Sequence, residues 1–380
     1  MKVAIIGCGK ISDEHAWVIR NTPGAEIVGV CDREELMAMQ MAERFKIPSY
    51  FNDARELLKA TKPRVVHITT SPESHFNLAL LSLEAGSNVL IEKPFTLTAC
   101  EAEELITIAK KTGLKLTAGH DNQFSPAAME MRKLVAEGFL GGDPVHIESH
   151  FPYDMGDERY ARALLANRTH WVRKLPGKLA HNVISHGIAK IAEFMKSDSP
   201  EVIALGFPSL SLKKVGEKEI IDELRVMIRD SNDTTAYFTF SSQISPGLHQ
   251  LRLHGPKRSL LVDYTHQVVI PIQKRGYKSY LNQFIPPLLY SGKLMLGGFR
   301  NMRRFLMNEF HQDAGRRTLV RRFYASVQED SPLPFKYEEI VCTARIMDSI
   351  FAQVFGGVRS ARDSESRVLE PTERPPSTPA

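Results

Sequence analysis

Two glycines near the start of the chain, Gly7 and Gly9 in Gly7-Cys8-Gly9-Lys10-Ile11-Ser12, are of a type and spacing that phosphate chemistry uses. The first allows a tight turn, and the second lets a pyrophosphate approach the backbone. The first turn of a following helix, here Lys10 and Ile11, offers unpaired N–H groups and the positive end of its dipole. Asp32 stands 23 residues after Gly9, close to the spacing of about 20 at which a carboxylate meets the ribose hydroxyls of a dinucleotide. Ser12 replaces the third glycine of the usual pattern, so the turn alone is a weak signal. Strand, turn, helix and acidic residue in this order strengthen it. A turn glycine pair plus a helix-capping aspartate is the plainer alternative. A carboxylate at 32 would repel a 2′-phosphate and so favours NAD over NADP, while Arg33 beside it could stack on adenine or meet that phosphate.

A second candidate lies in Ile91-Glu92-Lys93-Pro94. A lysine at the carboxyl edge of a parallel sheet faces the crevice where ligands bind, and partial burial could tune its amine for proton transfer. Taken alone, the tripeptide is equally a strand end before a proline. A third candidate is Asn182 with His186, spaced i, i+4 so that both side chains share one helical face. A metal held by His181 and His186 would need a third ligand at sensible spacing, and none is present.

These residues need elements to place them. The first 120 residues alternate short apolar strands with helical stretches, as in Val65-Val66-His67-Ile68, which predicts a parallel sheet covered on both faces. Strands are expected at 2–7, 26–31, 49–51, 64–69, 88–92 and 114–119. After Pro126 the pattern becomes a helix over 127–137 and then half-exposed alternating strands: 144–151, 202–207, 223–229, 234–240, 248–254, 260–264 and 267–272. Helices return near 316–328 and 337–355. The chain therefore divides into an α/β Rossmann domain (1–122) with a parallel sheet and an α+β domain (123–358) with a large, mostly antiparallel open sheet. The Ser-, Arg- and Pro-rich tail 359–380 is expected to be disordered.

In this order the pieces resemble the glucose–fructose oxidoreductase, inositol dehydrogenase and rhizopine-catabolism (Gfo/Idh/MocA) family. They are Gly7 to Ile11, Asp32-Arg33, Thr70-Ser71-Pro72 with His75, Ala85 through Glu92-Lys93-Pro94-Phe95, Phe124-Ser125-Pro126 leading to Gly141-Gly142, and Gly177-Lys178-Leu179 with His186. The resemblance covers roughly residues 1–272 and the last helix. It implies hydride transfer between NAD(P) and a sugar, cyclitol or nucleotide-sugar hydroxyl. By it, Lys93 is the acid/base that also orients the nicotinamide, and His186 is a second proton-transfer or substrate group. Thr70, Ser71, Pro72, His75 and Glu92 lie by the cofactor, and Asn182 by the substrate. Two positions depart from the family pattern. Asn182 stands where an aspartate is usual, and an amide cannot accept a proton; Gln123 stands where an arginine is often found. These departures keep open a non-catalytic dinucleotide-sensing regulator of the same fold, or an NAD-assisted glycosidase or epimerase.

Other residues admit two readings each. His120 ends a strand at the crevice and either touches substrate or does not. His75 is otherwise a residue of a helix start. Tyr153, Arg159, Tyr160, His170 and Trp171 suit either sugar or phosphate binding or packing. Cys8 serves as a small residue in a turn or as a reactive thiol, and the four scattered cysteines suit a reducing compartment without a disulfide framework or zinc site. The strand that begins at Lys2 leaves no room for a secretory leader, and no apolar run is long enough to span a bilayer, so a cytoplasmic location is expected.

The net charge of +5 is uneven. Between Gln273 and Arg322 eleven basic residues face Glu309 and Asp313, a local +9, so the rest sums to −4 and a nucleic-acid partner is not indicated. This region holds an apolar, basic insert at about 279–310. It either packs on the sheet or a partner subunit or lies on a membrane surface, which would suit a sugar substrate of surface-polysaccharide assembly. The open antiparallel sheet itself favours a homodimer or homotetramer.

Overall fold

The computed structural model describes residues 1–153, 164–165, 167–273, 276–307 and 314–367, with side chains to residue 356. Arg159 and Tyr160 lie outside the described residues, as do residues 368–380 of the tail. The first domain runs β1 (Lys2–Ile6), α1 (Lys10–Arg20), β2 (Glu26–Cys31), α2 (Glu35–Phe45), β3 (Tyr50–Phe51), α3 (Ala54–Thr61), β4 (Val65–Ile68), α4 (His75–Glu84), β5 (Asn88–Ile91), α5 (Ala99–Thr112) and β6 (Leu116–Ala118). The strands form one parallel sheet in the order β3-β2-β1-β4-β5-β6. Every residue of β4 and β5 is buried, because helices cover both faces and leave no solvated side for a polar residue to occupy.

The second domain continues with α6 (Pro126–Ala136), β7 (His146–Pro152), α7 (Lys178–Val183), α8 (Ser185–Ala192), β8 (Glu201–Phe207), α9 (Leu210–Lys214), β9 (Glu223–Arg229), β10 (Thr235–Ser241), β11 (Gln250–His254), β12 (Arg258–Asp263) and β13 (Val268–Gln273). Its seven-stranded sheet has the order β13-β12-β11-β7-β10-β9-β8 and is antiparallel except where β7 and β10 run parallel. One face packs on α8. The other is open, and it is there that Ile203, Leu205, Met227 and Tyr237 are exposed.

Three helices close the chain: α10 (Ile285–Leu306), α11 (Ala314–Glu329) and α12 (Tyr337–Arg367). The apolar insert is thus a 22-residue helix. Its Pro286 and Pro287 sit in the first turn, where a missing N–H costs nothing. Helix α11 returns to the first domain, where Val320, Phe323 and Tyr324 share a core with Ile5, Val30 and Leu90. Helix α12 joins both cores, with Ile340 and Val341 in the first and Ile346, Ile350 and Phe351 in the second. It continues to Arg367, so residues 359–367 of the expected disordered tail belong to this helix.

Helix α8 approaches the sheet closely at Gly187, where an added Cβ would lie 2.2 Å from Cε2 of Phe238. Gly187→Ala should destabilise the protein by about 2–3 kcal/mol through overpacking. A lower urea midpoint is the expected reading, and an unchanged midpoint would refute this account of the contact.

Candidate active site

The glycine turn sits between β1 and α1. Gly7 adopts a φ of +102°, and a Cβ there would lie 2.7 Å from the Thr70 backbone nitrogen. A side chain is excluded by both conformation and space. At Gly9 nothing lies within 4 Å of the position a Cβ would take, which leaves the backbone open to an approaching group. Gly9 caps α1, so the amides of Lys10 and Ile11 stand at the helix start where an anion is favoured. Ser12 fits in place of the third glycine because it is buried and its hydroxyl turns back to bond the Gly9 carbonyl.

A crevice of about 590 Å³ runs along this edge, lined among others by Gly7, Gly9, Asp32, Arg33, Thr70 and Ser71. One Asp32 oxygen accepts from the Cys8 amide at 2.7 Å and the other from the Glu34 amide at 3.0 Å. The carboxylate is thereby fixed at the end of β2. Arg55 and Asn52 line the same crevice; no spacing rule pointed to them, since they arrive from the β3–α3 connection. Cys8 is fully buried, and burial pushes its thiol up to about 12, with the Asp32 charge adding to the effect. The small-residue reading of Cys8 holds, and a reactive thiol does not.

Pro72 and His75 are buried rather than exposed to this crevice. Nδ1 of His75 lies 2.8 Å from the Pro94 carbonyl and Nε2 lies 3.1 Å from that of Thr70. The ring, held below its usual pKa by burial, ties the Thr70 turn to the segment that carries Lys93. Glu92 also turns inward. It accepts from Nε2 of His15 at 2.8 Å and from the Lys93 amide at 3.1 Å. His15 Nδ1 meets His67 Nδ1 at 2.8 Å, and His67 Nε2 meets the Tyr324 hydroxyl at 2.9 Å.

All four side chains are buried, and only one proton arrangement satisfies them with Glu92 ionised. Tyr324 donates to His67, His67 donates to His15, and His15 donates to Glu92. Burial holds His67 well below and Tyr324 well above their usual values, and the bond from His15 helps hold Glu92 below its own. No sequence rule revealed this chain, whose members come from α1, β4, β5 and α11.

Lys93 leaves the carboxyl end of β5, and its Nζ donates to the Asn182 backbone carbonyl at 3.1 Å. Asn182 thus meets Lys93 through its main chain. His186, one turn on, has its Nδ1 buried without a partner among the described residues, as does Nε2 of His120. The two rings meet edge to face at 5.7 Å, and His186 stacks on Phe151. Burial, then the Lys93 charge, holds His186 well below its usual range; burial brings His120 to about 4. Lys93, His120 and His186 are therefore brought together, with both rings neutral at pH 7. His181 faces elsewhere, stacked on Phe351 at 4.7 Å.

Beyond His186, the buried Lys190 lies 2.7 Å from Nε2 of His249 and over the Tyr264 ring. Gln123, at the position of the missing arginine, donates to Glu193 at 3.0 Å. That carboxylate also takes two bonds from Arg132, at 2.5 and 3.0 Å. The cation absent at 123 is supplied from α6. Asp121 pairs with Arg316 at 2.9 Å while burial and the Glu92 charge push its carboxyl up to about 7. Trp171 and His170 stack on one another.

The parallel sheet with a glycine turn, fixed acidic residue and lysine at its carboxyl edge defines an NAD-binding Rossmann domain joined to an open-sheet domain. Residues 1–120, the first domain, match the family described as "Oxidoreductase family, NAD-binding Rossmann fold". It is 34% identical over 142 residues to D-glucoside 3-dehydrogenase of Escherichia coli K12, covering 37% of this chain and 40% of that protein. It is 31% identical over 140 residues to D-apiose dehydrogenase of Paraburkholderia graminis, covering 37% of each. The match thus spans about two-fifths of these relatives. Two solved structures share the fold across both domains. UDP-N-acetylglucosamine 3-dehydrogenase GnnA from Acidithiobacillus ferrooxidans has a TM-score of 0.70 at 19% identity, covering 94% of this chain and 98% of that one. The WlbA dehydrogenase from Bordetella pertussis, solved with NADH and UDP-GlcNAcA, has a TM-score of 0.73 at 14% identity, covering 94% and 96%.

The buried histidines set a pH dependence. His120 and His181 are held near 4 and His249 near 2, each chiefly by burial. In the unfolded chain they take protons from about 6.5 downward, before the folded state does. Stability is therefore full above that value and should fall by about 1.4 kcal/mol per histidine per pH unit below it. Urea unfolding between pH 6.5 and 5 measures this; a flat unfolding free energy across that range would contradict neutral burial.

Proposed function

We propose that this protein is an NAD-dependent dehydrogenase of a sugar or nucleotide-sugar hydroxyl, with Lys93, His186 and Asn182 as its catalytic set. The supporting observation is that Lys93 follows β5 beside two imidazoles, each with a buried nitrogen that has no partner among the described residues, at the sheet edge that also carries the glycine turn and Asp32. Gly7, Gly9, Lys10 and Ile11 would hold the pyrophosphate, and Asp32 would hold the adenosine ribose. Arg33, Thr70 and Ser71 would border the dinucleotide, while Pro72, His75 and Glu92 would position its surroundings from beneath. A dinucleotide held by these residues would supply hydride transfer to or from the substrate carbon. The Lys93 amine would carry the proton to or from the substrate oxygen. His186 and His120, each neutral with a free ring nitrogen, would bind hydroxyls, and the Asn182 amide would add a further hydrogen bond.

A carboxylate fixed by two backbone amides where a 2′-phosphate would sit favours NAD over NADP. Substrates carried on UDP in two structural neighbours favour a nucleotide sugar, and hence a place in surface-polysaccharide metabolism. Lys93→Met should keep the fold and dinucleotide affinity while lowering turnover at least about 10²-fold. The assay is reduced-nicotinamide absorbance across sugars and UDP-sugars, and unchanged turnover would overturn the assignment. One observation favours a second reading. Asn182 offers Lys93 a carbonyl rather than a carboxylate, which suits a regulator that binds NAD without turnover. That reading requires affinity with no product, whereas an epimerase or glycosidase gives product without net NADH.

Self-association through the open sheet face completes the reading. Ile203, Leu205, Met227 and Tyr237 form an apolar patch there, with Ile203 and Leu205 exposed by 65% and 64%. Leu205→Arg with Met227→Glu should convert a dimer or larger assembly to monomer in light scattering. An unchanged mass would rule out this face.

A further inference from the structure

Helix α10 is amphipathic in the wrong sense for a protein surface. At about 100° per residue, Leu288, Met295, Phe299, Met302 and Leu306 fall within roughly 40° of one line along the helix. All five are exposed, Leu288 by 70% and Leu306 by 76%. The opposite side of the helix meets the protein. A Cβ on Gly297 would lie 2.7 Å from Val268 of β13. Arg300 pairs with Glu130 at 2.9 Å, and Asn301 donates to the His266 carbonyl at 2.7 Å. These five apolar side chains thus point away from the surface that the helix meets among the described residues. Between Gly276 and Met307 there are five basic residues, Lys278, Lys293, Arg300, Arg303 and Arg304, and no acidic one. Lys293, Arg303 and Arg304 lie on one flank of the helix, between the apolar line and the protein, while Arg300 is already paired with Glu130.

We propose that α10 is a docking surface for an anionic lipid bilayer, lying in the interface with its apolar line among the acyl chains and its basic flank at the headgroup phosphates. A helix about 33 Å long presents such a line along its whole length. No helix of the described residues is long and apolar enough to cross a membrane, so α10 lies on the bilayer rather than through it. The absence of any acidic residue along the helix selects this occupant. A second copy would bring an equal set of cations against the first and be repelled, whereas anionic headgroups are complementary. This inference is independent of the dehydrogenase reading and concerns where the protein works, not what it turns over.

Flotation of the full chain with vesicles tests it, comparing pure phosphatidylcholine with vesicles containing about one-third phosphatidylglycerol. Binding should require the anionic lipid and weaken markedly in about 0.5 M salt. Met295→Asp with Phe299→Asp, and separately Lys293→Glu with Arg303→Glu, should each reduce the bound fraction at least about tenfold. Thermal midpoint and NAD affinity should stay unchanged, since these side chains are exposed and far along the chain from the glycine turn and Lys93. Three results would overturn the proposal: no enrichment with anionic vesicles, undiminished flotation of either variant, or a fall in solution mass for Met295→Asp with Phe299→Asp. The last would show that a second copy covers the helix.

Discussion

The fold of the first domain turns on a buried carboxylate. Glu92 directly follows β5 with 5% of its surface exposed, and an ionised carboxylate in such a place is tolerated only if its lone pairs are met. They are met from two sides, by the Lys93 amide and by His15. His15 belongs to the helix that follows the glycine turn, and Lys93 to the loop at the substrate side. One charge therefore fixes the distance between the helix after the glycine turn and Lys93. The chain of donors continues through His67 to Tyr324, so a helix remote in sequence also takes part. Removing any link would leave a buried acceptor or donor unmet, at a cost of about 1–3 kcal/mol, which explains how two histidines and a tyrosine are retained within an apolar core.

The contact between the domains at Lys93 follows from the same economy of charge. His120, His186 and Lys190 are all depressed in pKa by burial, leaving Lys93 as the group that reaches across to the second domain. The two departures from the family pattern have different weights here. Gln123 sits with Arg132 on Glu193, so the local ion pair survives with its cation moved to another helix. Nothing comparable replaces the carboxylate at Asn182, whose contribution to Lys93 is a main-chain oxygen.

The first sheet was legible because its strands are apolar throughout and its helices intervene at regular intervals; boundaries shifted by a residue or two at most ends. Gly7, Gly9 and Asp32 were legible because backbone approach and ribose binding demand particular residue types at fixed separations. His75 and Glu92 are expected near the cofactor by resemblance, yet their side chains turn inward to Pro94, Thr70 and His15, since spacing along the chain does not report which way a side chain points. The His15–His67–Tyr324 chain was not legible at all. Its members lie 52 and 257 residues apart, and a histidine inside an apolar strand looks the same whether its partner is present or not. Helix α11 likewise carries no mark that it will rejoin the first domain.

Helix α10 shows why an apolar segment is ambiguous in sequence. Pro286-Pro287 and Gly297-Gly298 hid its helical period, and its composition suits a core as well as a surface. The structure decides by size: the helix turns its glycine, Gly297, to Val268, so the backbone comes close to β13 and little apolar volume is buried there. Were the helix merely a cover for the sheet edge, selection for packing would place the leucines and Phe299 on that side and the arginines outside. The reverse holds, with Arg300 anchored inward to Glu130 and the bulky residues outward. Exposed apolar surface of this extent costs solubility unless something removes it from water, and the acid-free, basic flank restricts that something to an anionic surface.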